Sequence, residues 1–320
     1  MTVYGMQKHE NYETQNPRRL KEICRLLESG KFEETLELVA GAQGPEKSEE
    51  ITQEPLYRSA LFWKGTMDAA AAMERYAESE FLVAQWDEFA ASPDASALPE
   101  RASYALREFV YSKALRGYLE LYNLSGIDDA ALLSRMGRLY QGLGDYERAI
   151  QSYELAHKRA KDDPRVMARL ADCYGMAGET RAAKLLFREA FFIDPPACAP
   201  IQCESPFIAE ILERLRAEGV PAADTAWWLP VYAAVLGVFN VKRELKPVEI
   251  GRLTQSIREL ETRAASGGGG LSGRDRALLL NRYFWLADHY AGLKASQEDR
   301  TAVLEKIKAL DMKIYERYTY

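Results

Sequence analysis

The chain has 320 residues and a formal net charge of -6, with 42 Lys and Arg against 48 Asp and Glu. That acidic balance excludes a general nucleic-acid binder, because phosphate affinity comes from a surplus of basic side chains. Four cysteines, at 24, 173, 198 and 203, are too few and too unevenly spaced to staple a chain this long, and with His9, His157 and His289 they give no metal-ligand spacing, so reduced thiols, no metal and no cofactor are expected.

Residues 1–15 are polar, lack the apolar run of a secretory signal and read as a flexible N-terminus, which points to the cytoplasm. Asn16 as N-cap and Pro17 at the first helical position open a helix with Ile23, Leu26 and Leu27 on one stripe. Gly30 supplies a turn, and Phe32, Leu36 and Val39 mark a second helix. After the polar stretch 41–54, the residues Trp63, Met67, Tyr76, Leu82, Val83 and Trp86 predict another hairpin. A long helix follows Pro99 and runs through Tyr118 and Leu121. Residues 16–129 thus read as degenerate helical hairpins.

Residues 130–197 carry an internal repeat. A shift of 34 residues aligns Arg135 with Arg169, Tyr140 with Tyr174, Gly144 with Gly178, Ala149 with Ala183 and Ala156 with Ala190. Each copy reads as two helices joined at a glycine, where a positive φ suits a helix C-terminus. The patterns Leu133-x2-Met136-Gly137-x2-Tyr140 with Ala149-x3-Tyr153, and Met167-x2-Leu170-Ala171-x2-Tyr174 with Ala183-x3-Phe187 and Pro195, resemble tetratricopeptide repeats. One departure is Lys161-Asp162-Asp163 before Pro164, which predicts a second helix about one turn longer than the pattern. The resemblance implies an all-α fold, a right-handed α–α superhelix whose terminal hairpins are atypical.

Residues 198–320 repeat the theme loosely. Residues 206–217 and 227–241 read as helices, and Pro247 opens another, with Ile250, Leu253, Ile257 and Leu260 at seam spacing. The uncharged stretch 225–241 falls short of the ~20 residues that span a bilayer and contains Pro230 and Gly237. It reads as a central, fully buried helix, which argues against membrane insertion. A glycine-rich linker is expected near 266–273. Beyond it, Leu279, Tyr283, Leu286, Ala287 and Tyr290 predict one amphipathic helix, and Val303, Leu304, Ile307, Leu310 and Tyr315 a second. Tyr315, Tyr318 and Tyr320 either close off that helix or dock on a partner.

No phosphate loop, zincin motif, nucleophile elbow or dinucleotide fingerprint is present, so no catalytic residues are assigned and the chain is not expected to be an enzyme. The packed face of the first repeat leaves Arg135 and Arg138 on the opposite side of their helix, and the same logic exposes Arg165 and Arg169. The resemblance implies that first helices line a concave surface where partners lie, which would put these four arginines on one groove wall, suited to a carboxylate or acidic peptide. Arg165 and Arg169 match the basic pair of the family's chaperone-tail binders, but Arg138 and Asp172 stand where those have Asn. Pairing with local acids such as Asp172, or plain solubility, is the alternative use of the arginines. The chain is therefore expected to be a scaffold or adaptor that binds a protein or peptide and no nucleic acid. The rival is a self-assembling subunit of a larger complex, which leaves homo-oligomerisation open.

Overall fold

A computed structural model of the chain describes residues 17–41, 47–125, 129–198, 203–266, 271–293 and 297–319. The flexible stretch expected over 1–15, the N-cap expected at Asn16, glycines 267–270 of the expected linker and Tyr320 lie outside them. The described residues form α-helices and short 3-10 turns and no strand, so the fold is all-α. The chain divides into two units, Met1–Ser152 and Tyr153–Tyr320.

The first unit holds α1 (Pro17–Glu28), α2 (Phe32–Ala40), α3 (Lys47–Ala70), α4 (Arg75–Ala90), α5 (Pro93–Ala97), α6 (Glu100–Ser125) and α7 (Ala130–Gly142). Long α6 is its axis: Ala102, Leu106, Val110, Ala114 and Tyr118, at helical spacing, are all 0% exposed. Helices α1, α4 and α7 pack against it. Trp63 and Trp86 do meet, their rings 5.9 Å apart, within a cluster that includes Phe62, Phe89 and Tyr111. The two helices they mark, α3 and α4, are consecutive and pack on one another, and α4 makes a larger contact with α6. The reason is a small residue. A Cβ on Gly117 of α6 would lie 2.6 Å from the Arg75 carbonyl oxygen of α4, so only glycine lets these backbones approach so closely.

The repeat is realised in full register. Helix α7 and the following α8 (Tyr146–Arg159) have bounds that fall 34 residues before those of α9 (Pro164–Met176) and α10 (Thr180–Ile193). The turn glycines Gly144 and Gly178 take φ of 77° and 86°. The longer helix expected in the first copy is not found: α8 and α10 both have 14 residues. Asp163 instead caps the next helix, accepting the Arg165 N–H at 2.9 Å, and Pro164 cannot continue the previous one.

The second unit continues with α11 (Pro206–Ala217), α12 (Thr225–Val235), α13 (Pro247–Ser266), α14 (Gly273–Gly292), α15 (Gln297–Leu310) and α16 (Met312–Thr319). Helices α12, α13 and α15 pack on α14. Phe187, Ile208, Leu229 and Leu280, each 0% exposed, belong to one core shared by the second repeat and the helices after it. Two expectations are corrected here. The buried helix expected over 225–241 stops at Val235, since Gly237 at φ 69° lets the Val238 N–H return to the Ala233 carbonyl, and Leu236 is left 43% exposed. The single helix expected from Val303 to Tyr315 is two, broken at Asp311, whose carboxylate accepts the Ile314 N–H at 3.0 Å.

Residues 240–246 run without regular structure and are clamped along their length. The Arg188 guanidinium donates to the Val241 carbonyl at 2.8 Å and pairs with Asp288 at 2.6 Å, while lying 4.3 Å above the Trp285 ring. Lys242 reaches the same Asp288 at 2.6 Å, and Arg243 is held by both Glu189 and Glu249. At the C-terminal end of α10, Arg282 and Asn281 donate to the Phe192 and Phe191 carbonyls, at 2.7 and 3.3 Å, which satisfies acceptors the helix itself leaves open. Burial pushes the pKa of Arg282 down to about 10.

Candidate functional site

In the first unit, Arg135 and Arg138 project from α7 toward α4. Arg135 pairs with Glu80 at 3.0 Å, its side chain 40% exposed. Arg138 grips Asp87 with both terminal nitrogens, Nη1 to Oδ2 at 3.0 Å, and is 34% exposed. Each acid also sits beside a tyrosine of α6. The Tyr118 hydroxyl donates to Glu80 at 2.6 Å, and Tyr111 shares Arg138 with Asp87. The result is two Tyr–acid–Arg sets, with the tyrosines seven residues apart on α6 and the acids seven apart on α4. Each set ties three helices together. Burial and the bond to Glu80 push the Tyr118 pKa far above the usual phenol range. Burial opposes the charge of Arg138, but its bonds to Asp87 and Tyr111 prevail and keep its pKa above the arginine norm.

In the second unit, Arg165 and Arg169 lie one turn apart on α9. Arg165 is 74% exposed and folds back on its own N-cap, Nε to Asp163 Oδ1 at 3.2 Å. Arg169 is half-buried and holds no hydrogen bond or ion pair among the described residues. Beside the start of α9, Lys161, Asp163, Arg165 and Asp194 line an open depression of about 800 Å3. Asp172 is not the surface acid that the sequence suggested. It is 0% exposed and accepts the Glu204 N–H at 3.0 Å and the Ser205 N–H at 2.9 Å, with the Ser205 Oγ 2.7 Å away. These bonds fasten residues 203–205 to α9. Cys173 and Cys203 lie in the same region, where burial pushes both thiols far above their usual pKa, so neither is a ready nucleophile.

The structure therefore joins the sequence-predicted arginines in pairs, Arg135 with Arg138 on α7 and Arg165 with Arg169 on α9. Three of the four have local acidic partners. The partners themselves, Glu80, Asp87, Tyr111 and Tyr118, were missed. Their seven-residue spacing on two helices was the signal that could have found them. Among the described residues no group of three or more His, Cys, Asp or Glu could hold a metal ion, and no helix is long and apolar enough to cross a membrane.

Helical hairpins repeated in register, with small residues at the packed positions and glycine turns, define a helical-repeat protein of the kind that carries interaction surfaces. A family model described as tetratricopeptide repeat matches residues 129–199, so this chain contains tetratricopeptide repeats across α7 to α10. No curated protein and no solved structure matches the chain.

Proposed function

We propose that this chain is a cytoplasmic scaffold or adaptor that binds a peptide or helix of a partner protein through the first helices of its repeats. The observation that carries the reading is the pair of matched hairpins, α7–α8 and α9–α10, whose first helices each present two arginines away from their packed face. Arg135 and Arg138 are drawn into ion pairs that stiffen α7 against α4, and Arg165 offers the most accessible positive charge, with half-buried Arg169 one turn away. Such a surface suits an acidic segment or a carboxylate, with shape and apolar contact supplying the remaining affinity.

Affinity capture from native cytosol, followed by mass spectrometry, tests this with two variants beside the wild type. The Arg165→Ala/Arg169→Ala chain should lose a partner that the wild type retains, with helicity unchanged by circular dichroism. The Arg135→Ala/Arg138→Ala chain should lose stability as well. Partners held equally by all three chains would move the interface elsewhere and leave the arginines as structural and surface charge.

A further inference from the structure

The last helix, α16, is attached differently from its neighbours. It has eight residues, follows α15 after the single residue Asp311, and fully buries only Ile314. A helix this short does not persist alone, so its order depends on the place it occupies. Four positions after Ile314, and so on the same face, Tyr318 stacks on Phe284 of α14 with ring centroids 4.2 Å apart and donates to Asp288 at 3.0 Å. On the adjoining stripe, Lys313 and Arg317 reach Glu218, at 2.6 and 2.7 Å, where α11 ends. Arg317 also lies 6.0 Å from the Tyr232 ring of α12.

Both acids keep a cation from the body of the unit when α16 is absent. Asp288 retains Arg188 and Lys242, and Glu218 retains Arg214 at 3.1 Å. Departure of α16 therefore strands no unpaired carboxylate and uncovers the Phe284 face, now 2% exposed. That combination favours refilling by another helix of like chemistry over collapse.

We infer that α16 is a detachable strap. Its seat, between Glu218 and Asp288 with Phe284 and Tyr232 beneath, accepts a short helix carrying an aliphatic residue, an aromatic residue four positions later and a basic residue before each. A partner segment of that chemistry competes with α16 for the seat. This is independent of the arginines on α7 and of those on α9.

The test uses the full chain and a fluorescent peptide corresponding to residues 311–320. Tyr318→Ala weakens the strap and leaves the seat intact, so the variant should bind the peptide about tenfold more tightly than wild type, because apparent affinity scales with the fraction of empty seat. Lys313→Ala/Arg317→Ala should do the same, and adding Glu218→Gln should remove much of the gain. In wild type, hydrogen exchange should open α16 well before α14. The inference is overturned if both strap variants, folded by circular dichroism, bind the peptide no better than wild type, or if α16 exchanges only together with α14.

Discussion

At the scale of single residues, the strongest polar commitment is Asp172. A buried carboxylate that takes two main-chain N–H groups and faces a serine hydroxyl cannot be removed without leaving those donors dry. Asp172→Ala should cost about 3 kcal/mol in urea unfolding. Asp172→Asn, which keeps one acceptor oxygen, should cost clearly less. Glu218 sets a pH dependence. Its bonds to Lys313 and then Arg317, with Arg214 on α11 and Tyr232 on α12 also near, hold its pKa down at about 2, against an ordinary 4.5. A carboxylate depressed in the folded state contributes stability that is fully present above its unfolded pKa and is lost as pH falls through the folded one. The melting-temperature gap between wild type and Glu218→Gln should therefore stay constant from pH 7 to 5 and close between about 4.5 and 2. A gap that never changes would show that the carboxylate carries no charge-dependent role. Sequence inspection found the arginines but not Glu80, Asp87 or Glu218, and it took Asp172 for a surface acid. An acid on an exposed helix face reads as solvated surface until the facing helix is known, and Glu80, Asp87 and Asp172 all take their meaning from residues more than 30 positions away.

At the scale of elements, the helices were legible wherever a chemical stop or start is written into the chain. Asp129, Ser205 with Pro206, and Pro247 all mark observed beginnings, and Gly30, Gly144 and Gly178 mark turns, whereas Asp163 with Pro164, expected at the tail of a longer α8, instead opens α9. Pairing was less legible, because it depends on which small residue meets which backbone. The segment 225–241 was misjudged for another reason, since a run that is apolar throughout has no period to show where the helix ends. The α4–α6 contact gives a direct check on the role of small residues. Gly117→Ala would set a Cβ 2.6 Å from the Arg75 carbonyl and 2.2 Å from Ser79 Oγ, and should cost about 2 kcal/mol by forcing the helices apart. Gly144→Ala meets open space, and its penalty, about 1 kcal/mol, should come from the φ of 77° alone. Equal losses in chemical denaturation would refute a packing role for Gly117.

For the molecule as a whole, the tetratricopeptide match ends at residue 199, but the hydrophobic core does not. Phe187 lies 5.8 Å from Phe207 of α11, and Phe191 lies 6.1 Å from Phe239. A chain cut after residue 199 would bare Phe187 and Phe191 of α10. Such a truncation should keep much of its helical signal yet bind a hydrophobic dye and melt broadly, whereas the full chain should melt cooperatively. A sharp transition in the truncated chain would show that the repeats suffice without the helices that follow. The repeat register was legible because it is written twice. The continuation of its core was not, because α11 to α16 carry no shared period, and their partnership with α10 rests on individual aromatic contacts and on the polar bonds of Arg188, Asn281 and Arg282.

The clamped stretch 240–246 also bears on how this protein meets a protease. Lys242-Arg243 is a dibasic site in non-helical chain, the sort of sequence trypsin cuts first when a loop is free. Here both side chains are held by carboxylates, and the main chain is held by Arg188. Cleavage at this site therefore waits for local unfolding, and a dipeptide that looks like an invitation to proteolysis becomes a reporter of how often the second unit opens.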